Sequence, residues 1–382
     1  MTPSEQVLLS LIRQSLFGTE EAYPADVNWD AVLQEAKQQT VVGIAAKALP
    51  ESCAGETRAK WTAAEYQLVA NHVRYWKAQD ELHQLLTENG IPYVILKGAA
   101  AAMYYPDPMR RAMGDIDFLV PTDRYEEAKA LLFENGYQLH HQDNDRHIGF
   151  NKGHVFYELH HRFSYEDLDL EEPLLAAMPR AIEKDLEGHR FFTLPTAENG
   201  LVLLAHLWEH LHTGVGLRQA IDWMLFVHAE LSDEAWETSF SQLSQQYGLQ
   251  RLAKVAAHMC QKYLGLPDPC TWCADADEAL CDELFSQIQC FGNFGRKARK
   301  LSATESKAQT ALSQMLRYGF IRYLQKGGEL QWKACHKHPW LKPFAWVYQL
   351  FRYPILWLTS PRQHSISSIM KKEKRFNDLL RG

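Results

Sequence analysis

Gly114-Asp115-Ile116-Asp117-Phe118-Leu119-Val120 sets two carboxylates into a run that otherwise reads as a buried strand. Side chains at i and i+2 of a strand share a face, roughly 7 Å apart along the backbone, so Asp115 and Asp117 stand side by side. Like charges held in that way repel unless a cation or a proton comes between them. A strand that carries such a cost calls for a ligand.

Upstream, Ile91 to Lys97 (IPYVILK) is a short apolar run rich in β-formers, and Gly98 turns it into the small-residue helix Ala99-Ala100-Ala101-Ala102-Met103. Strand, turn and helix in that order are where backbone amides commonly meet phosphate. Pro106 and Pro108 end the helix, because the residue before a proline is pushed out of the α region. Met109-Arg110-Arg111-Ala112-Met113 then leads into the acidic strand. Downstream, Pro121-Thr122-Asp123 opens a helix with Asp123 and Glu126 at capping-box spacing, and Asn135-Gly136 closes it. A second alternating run, His154 to His160, puts Val155, Tyr157 and Leu159 on one face and Phe156, Glu158 and His160 on the other.

Three carboxylates on neighbouring strands, Asp115, Asp117 and Glu158, can hold a divalent cation. Mg2+ prefers oxygen ligands and commonly shares them with substrate phosphates. Two such ions would activate an attacking oxygen and stabilise a leaving pyrophosphate. The turn after Gly98 would cradle a triphosphate with backbone amides. Lys97, Arg110 or Arg111 would then neutralise developing charge.

The 382 residues, 46% of them hydrophobic and 12% aromatic, are enough for a sizeable core and two or three domains. The opening MTPSEQVLLSLIRQSLFG lacks the basic region and cleavage site of a signal peptide and reads as an amphipathic helix, so a cytoplasmic location is expected. Thr57 to Asn89 reads as one long helix, with Trp61, Leu68, His72, Tyr75, Leu82 and Leu86 near one stripe and Gly90 as its stop. The helical period returns at Thr196 to His212, Leu217 to Glu230, Asp233 to Tyr247, Gln250 to Leu264 and Ala274 to Phe291. His206 and His210 share a helix face, but Leu207-Trp208-Glu209 between them lacks the glutamate of a zinc-hydrolase helix. They read as packing or hydrogen-bonding residues, or, with Arg218, as the lining of an acceptor cleft.

Cys270 and Cys273 have metal-ligand spacing without a second pair, and so read as thiols in a loop between helices; seven cysteines, an odd number, argue against a disulfide framework. From Phe291 onward 18 lysines and arginines face 4 aspartates and glutamates, so a basic tail follows an acidic body. Trp332, Trp340, Trp346 and Trp357 lie in that tail, and Arg352 and Pro354 interrupt its apolar run Pro343 to Thr359, which argues against a spanning helix. Contact with an anionic membrane surface, contact with nucleic acid, and packing on the acidic body all remain open for residues 291–382.

Taken together, YVILKGAAAAMYYPDPMRRAMGDIDFLV and YELHHRF resemble the DNA polymerase β-like nucleotidyltransferase superfamily, whose signature is a Gly-[Gly/Ser] turn, a later Asp-x-[Asp/Glu] and a third carboxylate on a following strand. More narrowly they resemble a bacterial group of uncharacterised nucleotidyltransferases, and LLAHLWEHLHTGVGLRQAIDW is similar to the His-rich helix that follows the core in that group. Lys97-Gly98-Ala99 stands where the wider superfamily has Gly-Ser, in keeping with the narrower group. The resemblance implies an α+β fold: a small mixed-sheet core at 91–195, a helical region at 1–90, a helical acceptor-side domain at 196–290 and a basic, aromatic-rich helical tail at 291–382. It implies an Mg2+-dependent enzyme, with two ions, that moves a nucleoside monophosphate from an NTP, foremost ATP, to an acceptor and releases pyrophosphate. Asp115, Asp117 and Glu158 would be the metal ligands; Lys97, Gly98, Arg110 and Arg111 would meet the nucleotide. The alternative is a nucleotide-binding regulatory module without transfer, docked on a membrane or nucleic acid through its tail.

Overall fold

The computed structural model describes residues 1–141, 146–165, 168–267 and 270–297 and, beyond these, 324–325, 328–329, 332, 334, 338–348 and 379. The chain divides into two units, Met1–Gly295 and Arg296–Gly382.

The first unit begins with helices. α1 (Pro3–Phe17) starts on a capping box in which the Glu5 N–H donates to the Thr2 hydroxyl and the Thr2 N–H donates to the Glu5 carboxylate. α2 (Trp29–Gln39) and α3 (Val42–Lys47) lead to α4 (Gly55–Glu88), which runs within about two residues of the helix expected from the sequence. Its Trp61, His72, Tyr75, Trp76, Leu82 and Leu86 are buried, and Tyr75, Trp76, Leu82 and Leu86 lay its C-terminal part along the sheet. Gly43 of α3 allows a close approach. A Cβ there would overlap the Leu68 side chain and come 2.5 Å from the Arg110 carbonyl oxygen, which belongs to backbone and cannot swing away. Gly43→Ala should therefore cost about 1–3 kcal/mol in chemical denaturation; a change below about 0.5 kcal/mol, the level of an ordinary surface substitution, would show that the two segments are not so close.

β1 (Val94–Ile95), the short helix α5 (Ala99–Ala102), β2 (Ile116–Leu119), α6 (Tyr125–Glu134), the antiparallel pair β3 (Gln138–His141) and β4 (His147–Lys152), and β5 (Val155–His160) follow. A two-stranded ribbon, β6 (Ser164–Tyr165) with β7 (Leu168–Asp169), and α7 (Glu171–Ala177) come before β8 (Ile182–Leu186) and β9 (His189–Thr193). Seven strands form one mixed sheet in the order β3-β4-β5-β2-β1-β9-β8. β2 lies parallel to β5 and antiparallel to β1, while β1 and β9 are parallel.

Alternation divides the two faces. Ile116, Phe118, Tyr157, Leu159 and Phe150 enter the core with Tyr75, Leu82 and Leu86 of α4 and Leu132 of α6. Fully burying a side chain of this size is worth about 2–3 kcal/mol. Asp117, Glu158 and His160 take the other face. The α+β expectation holds: a mixed sheet flanked by helices.

Two local expectations are corrected. Only Val94 and Ile95 of the run 91–97 pair as a strand, because the Ile91 N–H closes the end of α4 on the Leu86 carbonyl and Pro92 has no N–H to offer. Asp123 and Glu126 form no capping box, because Thr122–Arg124 is a turn of 3-10 helix and α6 starts only at Tyr125, with no side-chain cap.

The rest of the unit is helical: α8 (Thr196–Thr213), α9 (Leu217–Glu230), α10 (Asp233–Ala235), which continues through a π turn at Trp236–Phe240 into α11 (Ser241–Gln246), then α12 (Gln250–Leu264) and α13 (Glu278–Phe291). α13 starts four residues later than the sequence suggests, where the Leu280 N–H donates to the Asp277 carboxylate. Cys273 ends a 3-10 turn between α12 and α13, and its thiol contacts the Gln261 amide and the Cys270 carbonyl. Among the described residues no helix is long and apolar enough to cross a membrane. In the second unit Trp332 stacks on Tyr348, and a 3-10 helix spans Pro339–Phe344 with Trp340 and Phe344 exposed. Trp357 and most of the run 343–359 lie outside the described residues.

Candidate active site

Parallel pairing of β2 with β5 sets Asp117 opposite Glu158 and Leu119 opposite His160. One ligand oxygen from each of Asp115, Asp117 and Glu158 lies within 4.8 Å of the others. Asp117 is 1% exposed, whereas Asp115 and Glu158 are half-buried. Lys97, immediately after β1, brings Nζ to 2.9 Å from Asp117 Oδ1, and His160 brings Nε2 to 3.2 Å from the same oxygen and 3.5 Å from Glu158 Oε2. The other Asp117 oxygen, Oδ2, is buried without a hydrogen-bond partner. A buried carboxylate oxygen left in this state is costly, and a cation shared with Asp115 and Glu158 would satisfy it. The all-oxygen donor set fits Mg2+.

The charges respond to this crowding. Asp117 beside it, then burial, push the Asp115 carboxyl up to about 7, against the pull of Lys97. Burial alone would raise Asp117 too, but Lys97 and His160 hold it well below the usual carboxylate range. Burial works against a charged His160, yet its hydrogen bonds to Asp117 and Glu158 raise its pKa.

Gly98 forms the turn from β1 into α5 at φ +56°, a left-handed conformation that side-chain-bearing residues rarely adopt. The segment between that turn and β2 is held through its carbonyls. His72 of α4 donates from Nε2 to the Arg111 carbonyl, Arg218 of α9 donates to that of Ala112 at 3.2 Å, and the Tyr75 hydroxyl donates to that of Gly114. Burial pushes the His72 pKa down to about 4, so the ring is neutral with its proton on Nε2. Asp115 follows this pinned segment directly, so two helices fix where its carboxylate stands.

The structure thus brings Lys97, Asp115, Asp117 and Glu158 together beside the Gly98 turn. It gives the two arginines other partners. Arg110 bonds Asp107, Glu65 and the Gly43 carbonyl. Arg111, 3% exposed, meets Asp222 of α9 through two hydrogen bonds of 2.8 Å, and Asp222 also accepts from the Tyr105 hydroxyl at 2.7 Å. Their sequence position in the loop before the acidic strand suggested phosphate; in the structure their guanidinium groups tie that loop to α4 and α9. His160 and His147 were not singled out from sequence, although His160 shares the face of Glu158 two residues away. His147 Nε2 stands 3.7 Å from Glu158 Oε1, and His147, Glu158 and His160 form a second group close enough to hold a metal ion. A cleft lined by Lys97, Arg146, His147, Glu158, His160 and Arg162 opens beside it.

A family model described as uncharacterised nucleotidyltransferase matches residues 25–265. Among solved structures the chain is similar to a crystal structure of ANT(2")-Ia in complex with adenylyl-2"-tobramycin, at 14% identity and a TM-score of 0.35, over 45% of this chain and 99% of that one. A solution structure of ANT(2")-Ia gives the same identity and TM-score over 45% and 91% of the two chains. An antigenic nucleotidyltransferase-like protein from Paracoccidioides brasiliensis is 14% identical with a TM-score of 0.31, over 51% of this chain and 94% of that one. A comparison with curated proteins gives no match. With its matched segment spanning the sheet, the Asp115/Asp117 strand and the helices through α12, the chain belongs to the uncharacterised nucleotidyltransferase family.

Proposed function

We propose that the protein transfers a nucleoside monophosphate from an NTP, foremost ATP, to the nucleophilic oxygen of an acceptor, with release of pyrophosphate and dependence on Mg2+. The observation that carries this is the trio Asp115, Asp117 and Glu158, with ligand oxygens within 4.8 Å of one another and a buried, unpartnered Oδ2 on Asp117. These residues would hold two Mg2+ ions, which supply charge neutralisation at the α-phosphate and a lowered pKa for the attacking hydroxyl. The acceptor oxygen forms a new bond to the α-phosphorus as the bond to the bridging oxygen of pyrophosphate breaks. Lys97 tethers Asp117 and adds positive charge beside the phosphates. Gly98 lets the backbone approach them closely. Glu158, its side chain 26% exposed, faces the cleft where the acceptor would enter. Arg110 and Arg111, expected to meet the nucleotide, have their guanidinium groups bonded to protein carboxylates, which favours Lys97 over them for the phosphates.

An enzyme of this kind works in the cytoplasm, where NTPs and Mg2+ are at hand. For the tail we propose docking on an anionic surface, membrane or nucleic acid, supported by its excess of basic residues and by the exposed Trp340, Phe344 and Trp346. The activity is tested by incubating the protein and Mg2+ with a cell lysate and ATP labelled at the α- or the γ-phosphate. Label from the α position, and none from the γ position, should become fixed to an acceptor while pyrophosphate accumulates. Retention of the γ-label would mean phosphoryl transfer, and unchanged nucleotide held on this protein would mean a binding module.

A further inference from the structure

Arg218 sits in the first turn of α9 and is 9% exposed. A guanidinium carries five N–H donors. One is used, from Nη1 to the Ala112 carbonyl at 3.2 Å, and Nε is buried without a partner. Among the described residues Arg218 has no ion pair. A buried charge left uncompensated costs several kcal/mol, so its neighbours need accounting for.

Asp222, on the same helix, is taken up by Arg111 through two hydrogen bonds and by the Tyr105 hydroxyl. Asp115 is close enough to feel the charge of Arg218 but makes no bond to it. From α8, His206 and His210 approach with their Nε2 atoms 2.9 Å apart and bonded to each other. Burial keeps both neutral, His210 down to about 3. Arg111 itself is a second cation. None of these groups forms an ion pair with Arg218, although Asp222 and then Asp115 favour its charge from a distance, and a divalent cation on Asp115 and Asp117 would offset the contribution of Asp115. Once such a cation is bound, the surroundings of Arg218 carry excess positive charge, and its guanidinium has donors to spare, the composition of a phosphate site.

We infer that Arg218 is the protein's buried anchor for a phosphoryl oxygen, the cation that meets a phosphate group delivered to the Asp115 side of the acidic trio. The phosphate has two possible sources, the β- and γ-phosphates of the NTP or a phosphate carried by the acceptor. The inference deepens the nucleotidyl transfer proposed above, and metal dependence is separable from it.

Calorimetry on the whole chain tests it with pyrophosphate, a non-hydrolysable ATP analogue and glycerol phosphate, each with Mg2+ and with EDTA, for wild type, Arg218→Met and Arg218→Lys. Arg218→Met should weaken at least one class of ligand by about tenfold or more, the usual scale for a charge-assisted phosphate contact. Loss confined to pyrophosphate and the analogue assigns the site to the nucleotide; loss confined to glycerol phosphate assigns it to the acceptor. Arg218→Lys, which keeps the charge but not the planar fork, should fall between wild type and Arg218→Met. Because among the described residues the cation makes no ion pair and gives up a single hydrogen bond, to the Ala112 carbonyl, Arg218→Met should melt within a few degrees of wild type without ligand. Unchanged affinities for all three ligands would overturn the inference, and a lowered melting temperature beside them would make Arg218 structural. Should Arg218→Met not fold, equal binding by Arg218→Lys and wild type would do the same. Asp115→Asn is the separate control: it should remove the Mg2+ effect and keep the metal-free binding through Arg218, so failure of the metal site and failure of the anion anchor give different results.

Discussion

Asp222→Ala should destabilise the protein by about 3–5 kcal/mol, the cost of stranding one partner of a buried ion pair. Arg111 is 3% exposed and Asp222 1%, so water cannot take over when the carboxylate goes. Two hydrogen bonds of 2.8 Å and the Tyr105 hydroxyl at 2.7 Å are lost together. Burial works against the Arg111 charge, and Asp222 is the main influence holding the guanidinium protonated. Without it, Arg111 and Arg218 would face each other as buried like charges. Asp222→Asn should cost less, since one acceptor oxygen remains. Arg111→Met combined with Asp222→Leu should recover most of the loss, because a buried pair replaced by apolar groups of similar volume is often close to neutral. Chemical denaturation of the three variants measures this. An Asp222→Ala loss below about 1 kcal/mol, the level of a solvent-screened pair, would mean that the bridge from α9 to the loop does not exist as described.

That bridge marks where the sequence stops being readable. Arg111 and Asp222 are 111 positions apart, and nothing local in Met109-Arg110-Arg111 says that its cations are already partnered. Elements governed by local period were legible: Leu217–Glu230 and Gln250–Leu264 have the ends expected from their apolar spacing. The acid-bearing face of the sheet was legible too, because alternation in 154–160 sorts Glu158 and His160 away from Tyr157 and Leu159. Strand β8, Ile-Glu-Lys-Asp-Leu, was not. It is an edge strand with its charged residues largely in solvent, and such edges carry little apolar alternation. His72 and Tyr75 were legible as core residues by spacing. Their second role, with polar tips bonded to the carbonyls of Arg111 and Gly114, depends on a loop that only tertiary structure brings against α4.

Asp115→Asn should make the metal-free protein more stable at pH 8, by about 2–4 kcal/mol, while abolishing its response to Mg2+. The sign follows from the direction of the Asp115 shift. Its carboxyl is raised from an ordinary 3.8 to about 7 in the folded protein, so between these values the folded chain holds a proton that the unfolded chain has released. Stability therefore falls as pH rises through that window, and the penalty is complete above pH 7. At about 1.4 kcal/mol per unit the full shift gives an upper bound of roughly 4 kcal/mol, reduced because Asp115 is partly exposed to solvent. Asn carries no charge and escapes the penalty, so its advantage should shrink toward zero near pH 4. Asp117 behaves oppositely: its carboxyl is held low by Lys97 and His160 despite burial, so it contributes stability above its unfolded value that is lost in acid in both proteins. Mg2+ should raise the melting temperature of wild type more at pH 8 than at pH 6, because below about pH 7 binding must first displace the Asp115 proton. Thermal denaturation of both proteins at pH 4.5, 6 and 8, with EDTA and with Mg2+, separates these effects. A pH-independent gap between them would mean that repulsion at the acidic pair is not what Asn relieves, and equal Mg2+ stabilisation of both would remove Asp115 from the metal site.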